Sequence, residues 1–244
     1  DAISNSLYAK ILSGGSQEYL KENLYRFFYF AFPLAAISIV FGRPGLFLLN
    51  PNYTDAFPVV IFLTVGGFMM VLNRIFLSVI LSIEKADTDE NPKNSNYLKS
   101  KLFFVPSLRL IQYIGYIVLL VSILMFFRHL ALLNLVIIWS VISMFVEIPL
   151  LIYLLKKVKE YFSLDLEKKT LMKYIGATMV IFSLLFFFAE RFFDYKMSFF
   201  NYFPNFVIMV SVGIFSYVGI TFILDLRVRI LWRSIISELK SVFY

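Results

Sequence analysis

Cysteine is absent and histidine occurs once, at His129. The first absence removes disulfide frameworks and thiolate metal sites, and leaves redox chemistry silent about compartment. The second argues against a multi-histidine metal centre. Charge is also scarce: only 16% of the 244 residues are Asp, Glu, Lys or Arg, against 60% hydrophobic. No Ser/His/Asp set, HExxH, phosphate-binding loop or GxGxxG occurs. The one acidic cluster, Asp87, Asp89 and Glu90, lies in a polar stretch with no nucleotide-binding domain around it. Neither an enzyme nor a cofactor site is expected.

What the chain has in abundance is long apolar runs. A soluble domain of this length could not hide 29 Phe and a mean hydropathy of +0.79 in one core, so the chain reads as a multi-pass membrane protein. The net charge of +7 then belongs to helix ends and anionic headgroups, not to nucleic acid.

The runs are Phe27 to Gly42, Phe57 to Ile83, Leu102 to Phe127, Leu130 to Leu155, Leu171 to Ala189 and Asn205 to Leu224. The second, at ~1.5 Å rise per residue, extends ~40 Å and so crosses a ~30 Å hydrocarbon layer with some tilt. Arg43-Pro44-Gly45 and Pro51 to Asp55 predict a turn-rich loop, with Asp55 as N-cap and Pro58 in the first turn of the next helix. Pro33 and Pro149 fall inside helices, and Arg128-His129 joins a helical hairpin. Leu7, Ile11 and Leu12 give a short amphipathic pattern, broken at Gly14-Gly15 and restarted from Ser16 to Arg26. The expected organisation is an interfacial linker over 1–26, a six-helix transmembrane lobe over 27–225 and an interfacial tail over 226–244. Of the 23 basic residues, sixteen fall in the lead-in, the 84–101 and 156–169 loops and the tail, against four in the alternate loops. That bias predicts both termini on the cytoplasmic side. Gly66-Gly67 and Gly213 with Gly219 predict close helix packing, and the aromatic stretches a lipid-facing belt.

Apart from Lys173 at the edge of the fifth run, three charged residues lie within these runs. Counting along the helices puts Arg74 at ~14 Å, Glu147 at ~12 Å and Arg109 at ~10 Å from the cytoplasmic ends. An arginine at such depth is costly and must face protein, a counter-charge or a water-filled cavity. Arg109, Gln112, Tyr113 and Tyr116 follow the spacing that lines one helix face, a polar stripe in an apolar helix. Asn73 stands beside Arg74, and Pro149 frees a carbonyl near Glu147. Glu147 either neutralises an arginine as a structural ion pair or takes part in binding an anionic headgroup or coupling an ion; Arg109 is the nearest to an interface and the one best placed to snorkel.

Some of these stretches carry a family resemblance. Ala2 to Leu7, Gly14-Gly15-Ser16-Gln17-Glu18-Tyr19-Leu20, Ala31-Phe32-Pro33-Leu34-Ala35, Phe41-Gly42, Leu49-Asn50-Pro51-Asn52-Tyr53 and Ile83-Glu84-Lys85-Ala86-Asp87 resemble the Wzx-like oligosaccharide flippases, the polysaccharide branch of the multidrug/oligosaccharidyl-lipid/polysaccharide exporters. The similarity is of pattern, strongest over residues 1–115 and of helix count beyond. It implies the C-terminal lobe of a two-lobe, twelve-helix transporter in the cell membrane, partnered by an N-terminal six-helix lobe and by membrane lipids. The substrate it implies is a lipid-linked oligosaccharide on a polyprenyl pyrophosphate, moved by alternating access during glycan synthesis. Arg74 and Arg109 would attract the pyrophosphate, with Asn73, Gln112, Tyr113 and Tyr116 around it. Glu147 would hold an arginine in the empty state or take a proton or Na⁺. The alternatives are a drug or ion-coupled exporter of the same superfamily, a membrane-embedded glycosyltransferase or polymerase, and an assembly subunit.

Overall fold

The computed structural model describes residues 17–82, 101–193 and 199–243, and among them the chain is all-α. Among the described residues six helices are long and apolar enough to cross a membrane, the number the apolar runs predict. In chain order the helices are α1 (Gln17–Val40), α2 (Gly42–Leu49), α3 (Phe57–Ser82), α4 (Lys101–Phe126), α5 (Leu132–Tyr161), α6 (Lys168–Phe192), α7 (Phe199–Leu224) and α8 (Leu226–Phe243). A 3-10 segment, Pro51–Ala56, runs directly into α3. The amphipathic pattern at Leu7, Ile11 and Leu12 and the acidic cluster at Asp87, Asp89 and Glu90 lie outside the described residues.

The surface of these helices is the strongest sign of their solvent. Phe200 is 83% exposed, Leu132 77% and Phe215 75%, with dozens of other large apolar side chains outward. In water such a surface would aggregate; in hydrocarbon it is the solvated one. The chain is a multi-pass membrane protein.

Three local expectations change. The helix of the first apolar run is continuous with the amphipathic stretch before it: α1 is one helix from Gln17, because Leu20, Leu24 and Phe27 continue a single buried stripe across the charged stretch. Arg43-Pro44-Gly45 opens α2 rather than a loop. Pro44 sits in its first turn, where no intrahelical donor is required of it. The cap near Pro51 is Asn50, whose side-chain oxygen accepts from Asn52 N at 2.9 Å, while Asp55 lies inside the 3-10 segment.

The chain divides into two compact units. One comprises Asp1–Leu24 and Pro58–Asp165, the other Tyr25–Phe57 and Leu166–Tyr244. In the first, α4 packs on α5, and α3 reaches α5 at Gly66, where an added Cβ would stand 3.2 Å from Met144 Cα. In the second, Gly213 admits Phe182 and Leu185 of α6 against α7. Gly67 and Gly219 face open space, so only two of the four candidate packing glycines serve that end.

The second unit closes around Tyr29. Its carbonyl accepts from Tyr217 Oη at 2.9 Å, its own hydroxyl accepts from Trp232 Nε1 at 2.9 Å, and its ring lies 5.4 Å from those of Tyr174 and Tyr217. Val228 of α8 is buried in the same core, with Leu231 and Trp232 packed against it. The interfacial helix expected over the tail is therefore anchored to the unit by one face.

Candidate functional site

Within the first unit, three helices put polar side chains onto a single turn of α5. Pro149 offers no N–H, so Phe145 O loses its helical donor within an otherwise continuous α5. The next two carbonyls each take a donor from another helix. Gln112 Nε2 of α4 donates to Val146 O at 3.0 Å, and Asn73 Nδ2 of α3 donates to Glu147 O at 3.1 Å. Asn73 Nδ2 also reaches Glu147 Oε2 at 2.7 Å, a length expected of a charge-assisted bond. A proline-broken turn in hydrocarbon needs such outside donors, which is why amide side chains occur there.

About one turn away the seam continues. Tyr116 Oη shares a hydrogen bond with Ser143 Oγ at 3.2 Å and accepts from Trp139 Nε1 at 2.7 Å, while Ser143 Oγ also reaches Trp139 O at 2.9 Å. Trp139, Ser143 and Glu147 recur at i, i+4 and i+8, so α5 presents a polar stripe that answers the one on α4. Neither Trp139 nor Ser143 was expected in the site. Their spacing was the available signal, masked by residue types that also serve in packing and in interfacial belts.

Of the seven residues singled out, the structure joins four: Asn73 to Glu147 directly, and Gln112 and Tyr116 to the same face of α5. Asn73 is completely buried and its Oδ1 finds no donor among the described residues. Arg74, one position and about 100° further round the helix, is exposed. The hydrogen bond Glu147 takes from α3 thus comes from the amide beside the arginine. Tyr113 is half exposed and stands off the seam.

Arg109 is the remaining member. The pairings Gln112–Val146, Tyr116–Ser143 and the Phe104–Tyr153 ring contact at 6.2 Å fix an antiparallel register that sets Arg109 level with Ile148, beside the broken turn. It is half-buried, and its Nε is fully buried with no acceptor among the described residues. A guanidinium donor in that state costs free energy until an acceptor arrives, and carboxylates or phosphates suit its fork.

Among the described residues no group of three or more His, Cys, Asp or Glu is placed to hold a metal ion. No family model, no curated protein and no solved structure matches the chain.

Proposed function

We propose that this chain is one six-helix lobe of a Wzx-like transporter that moves a lipid-linked oligosaccharide across the membrane, with the seam of α3, α4 and α5 contributing to its anion-recognising wall. The observation that carries the reading is Arg109: a cation inside an apolar helix, on a polar stripe, with a buried donor that meets no acceptor among the described residues. A pyrophosphate is the acceptor that a lipid-linked sugar would bring. Arg74, at similar depth by residue count, adds long-range attraction in a low-dielectric setting. Gln112 and Asn73 hold the broken turn in place, and Tyr116 ties the far end of the stripe to α5. Glu147, already holding Asn73, is the group available to exchange a proton or Na⁺ as the site fills and empties. Both termini face the cytoplasm in this reading, and an N-terminal six-helix lobe supplies the other wall.

The test is flipping of a fluorescent polyprenyl-pyrophosphate oligosaccharide in proteoliposomes of the full two-lobe transporter. Arg109→Gln and Arg109→Ala should each reduce transport about tenfold or more, the scale of one charge-assisted contact, and Arg109→Lys should restore part of it. Unchanged flipping in both Arg109→Ala and Arg74→Ala would refute the anion role. Sensitivity to cationic drugs with intact glycan export would instead favour the drug-exporting alternative.

A further inference from the structure

The second unit carries a different concentration of charge, where α6 begins, α7 ends and α8 turns away. The last carbonyls of α7 need partners, and cations provide them: Lys173 Nζ donates to Leu224 O at 2.9 Å, and Arg229 to Phe222 O at 2.9 Å and Ile223 O at 3.0 Å. Asp225 Oδ1 caps α8 by accepting from Arg227 N at 3.0 Å. Arg227 meets Glu167 at 2.7 Å and lies 4.4 Å over the Tyr25 ring. Partial burial works against the charge on Arg227, yet the Tyr25 hydroxyl and Glu167 together outweigh it and hold its pKa above the ordinary value.

Two acids of this unit at this end, Glu167 and Asp225, are committed to internal contacts, and Asp165, two residues before Glu167, is exposed. Six cations share the end with them, and three, Lys168, Lys169 and Arg233, are exposed and engage no partner among the described residues. Apolar side chains crowd the adjoining surface: Met172 is 71% exposed, Ile223 73%, Leu226 64% and Ile230 58%. On α8, Leu226, Ile230 and Arg233 recur at i, i+4 and i+7, on the side turned away from buried Val228.

We propose that this end of the second unit is a docking surface for anionic phospholipid, with Lys168, Lys169 and Arg233 meeting the phosphate groups and the exposed aliphatic side chains meeting the acyl chains. Charge complementarity selects the occupant. Unpartnered cations directly beside an aliphatic surface match an amphiphile with an anionic head, whereas a soluble phosphate would leave the apolar half of the surface unused. The proposal is independent of what the protein transports.

The experiment uses Trp232 of α8 as reporter, in a Trp139→Phe background, with the chain in bilayers containing acyl-brominated phospholipid. Each basic residue near an anionic surface strengthens association about fivefold. Brominated phosphatidylglycerol should therefore outcompete brominated phosphatidylcholine for quenching by about tenfold or more at low salt, and less as salt is raised. The triple variant Lys168→Gln/Lys169→Gln/Arg233→Gln should bring the two lipids to within about twofold, and Arg233→Gln alone should lose about fivefold. Unaltered quenching by phosphatidylcholine in the variants shows that α8 remains docked. Equal quenching by both lipids in the unsubstituted protein, or an anionic preference that survives the triple substitution, would overturn the proposal. So would loss of the preference on adding inorganic phosphate, since that would mark a site for a soluble anion.

Discussion

The bond between Asn73 and Glu147 should be measurable as a coupling energy between α3 and α5. Asn73 Nδ2 makes two contacts with one residue, 2.7 Å to the carboxylate and 3.1 Å to the carbonyl, from a side chain with no exposed surface. Interhelical hydrogen bonds in membranes average about 0.6 kcal/mol and reach about 1.7. A carboxylate acceptor puts this pair near the upper end, at about 1.5 kcal/mol. The single substitutions will not show it cleanly. Asn73→Ala also removes the unmet Oδ1, which offsets part of the loss, since a buried polar atom without a partner costs about 1–3 kcal/mol. A double-mutant cycle, Asn73→Ala with Glu147→Ala, cancels that offset. Reversible unfolding in micelles is the assay. The comparison cycle, Arg74→Ala with Glu147→Ala, should give a smaller value because Arg74 turns to the exposed side of α3. A coupling for Asn73 under about 0.3 kcal/mol, or one smaller than that for Arg74, would refute the claim that the amide holds Glu147.

Two packing predictions follow. Gly66→Ala should destabilise the protein by about 1–3 kcal/mol, because its Cβ meets the α5 backbone at 3.2 Å and α5 must shift to admit it, while Gly67→Ala should be neutral or slightly stabilising; thermal unfolding in micelles distinguishes them. Tyr29→Phe keeps both ring contacts but strips the acceptor from Trp232 Nε1, for a loss of about 1–2 kcal/mol and a shift in Trp232 emission. An unshifted emission spectrum would show that the indole has another acceptor.

Length and apolarity made the spans legible, since a helix that must cross hydrocarbon cannot interrupt its run. Azimuth was less legible. By residue count Asn73 and Arg74 share one depth, and the arginine is the costlier of the two in hydrocarbon. Adjacent positions nevertheless point about 100° apart, and it is the amide that turns inward. The stripe on α4 was visible because Arg, Gln and Tyr stand out in an apolar helix. Its complement on α5 was not, because Trp139 and Ser143 acquire meaning only once Tyr116 is seen between them. At α1 the charges of Lys21, Glu22 and Arg26 broke the hydropathy run without breaking the buried stripe of Leu20, Leu24 and Phe27.

The two units satisfy their buried polar groups in different ways, and the difference bears on where change can occur. Around Tyr29 each bond is made by a hydroxyl or indole to a fixed acceptor inside a packed aromatic core, so opening one contact breaks ring packing as well. Around Pro149 the donors are the amides of Gln112 and Asn73, and the acceptors are two carbonyls and a carboxylate on a turn already short of one backbone bond. An amide side chain can trade one such acceptor for another by rotating, at little packing cost. A carboxylate that gains or loses charge changes how tightly it is held. The contacts that join α3, α4 and α5 can therefore be exchanged without repacking a core, whereas those around Tyr29 cannot.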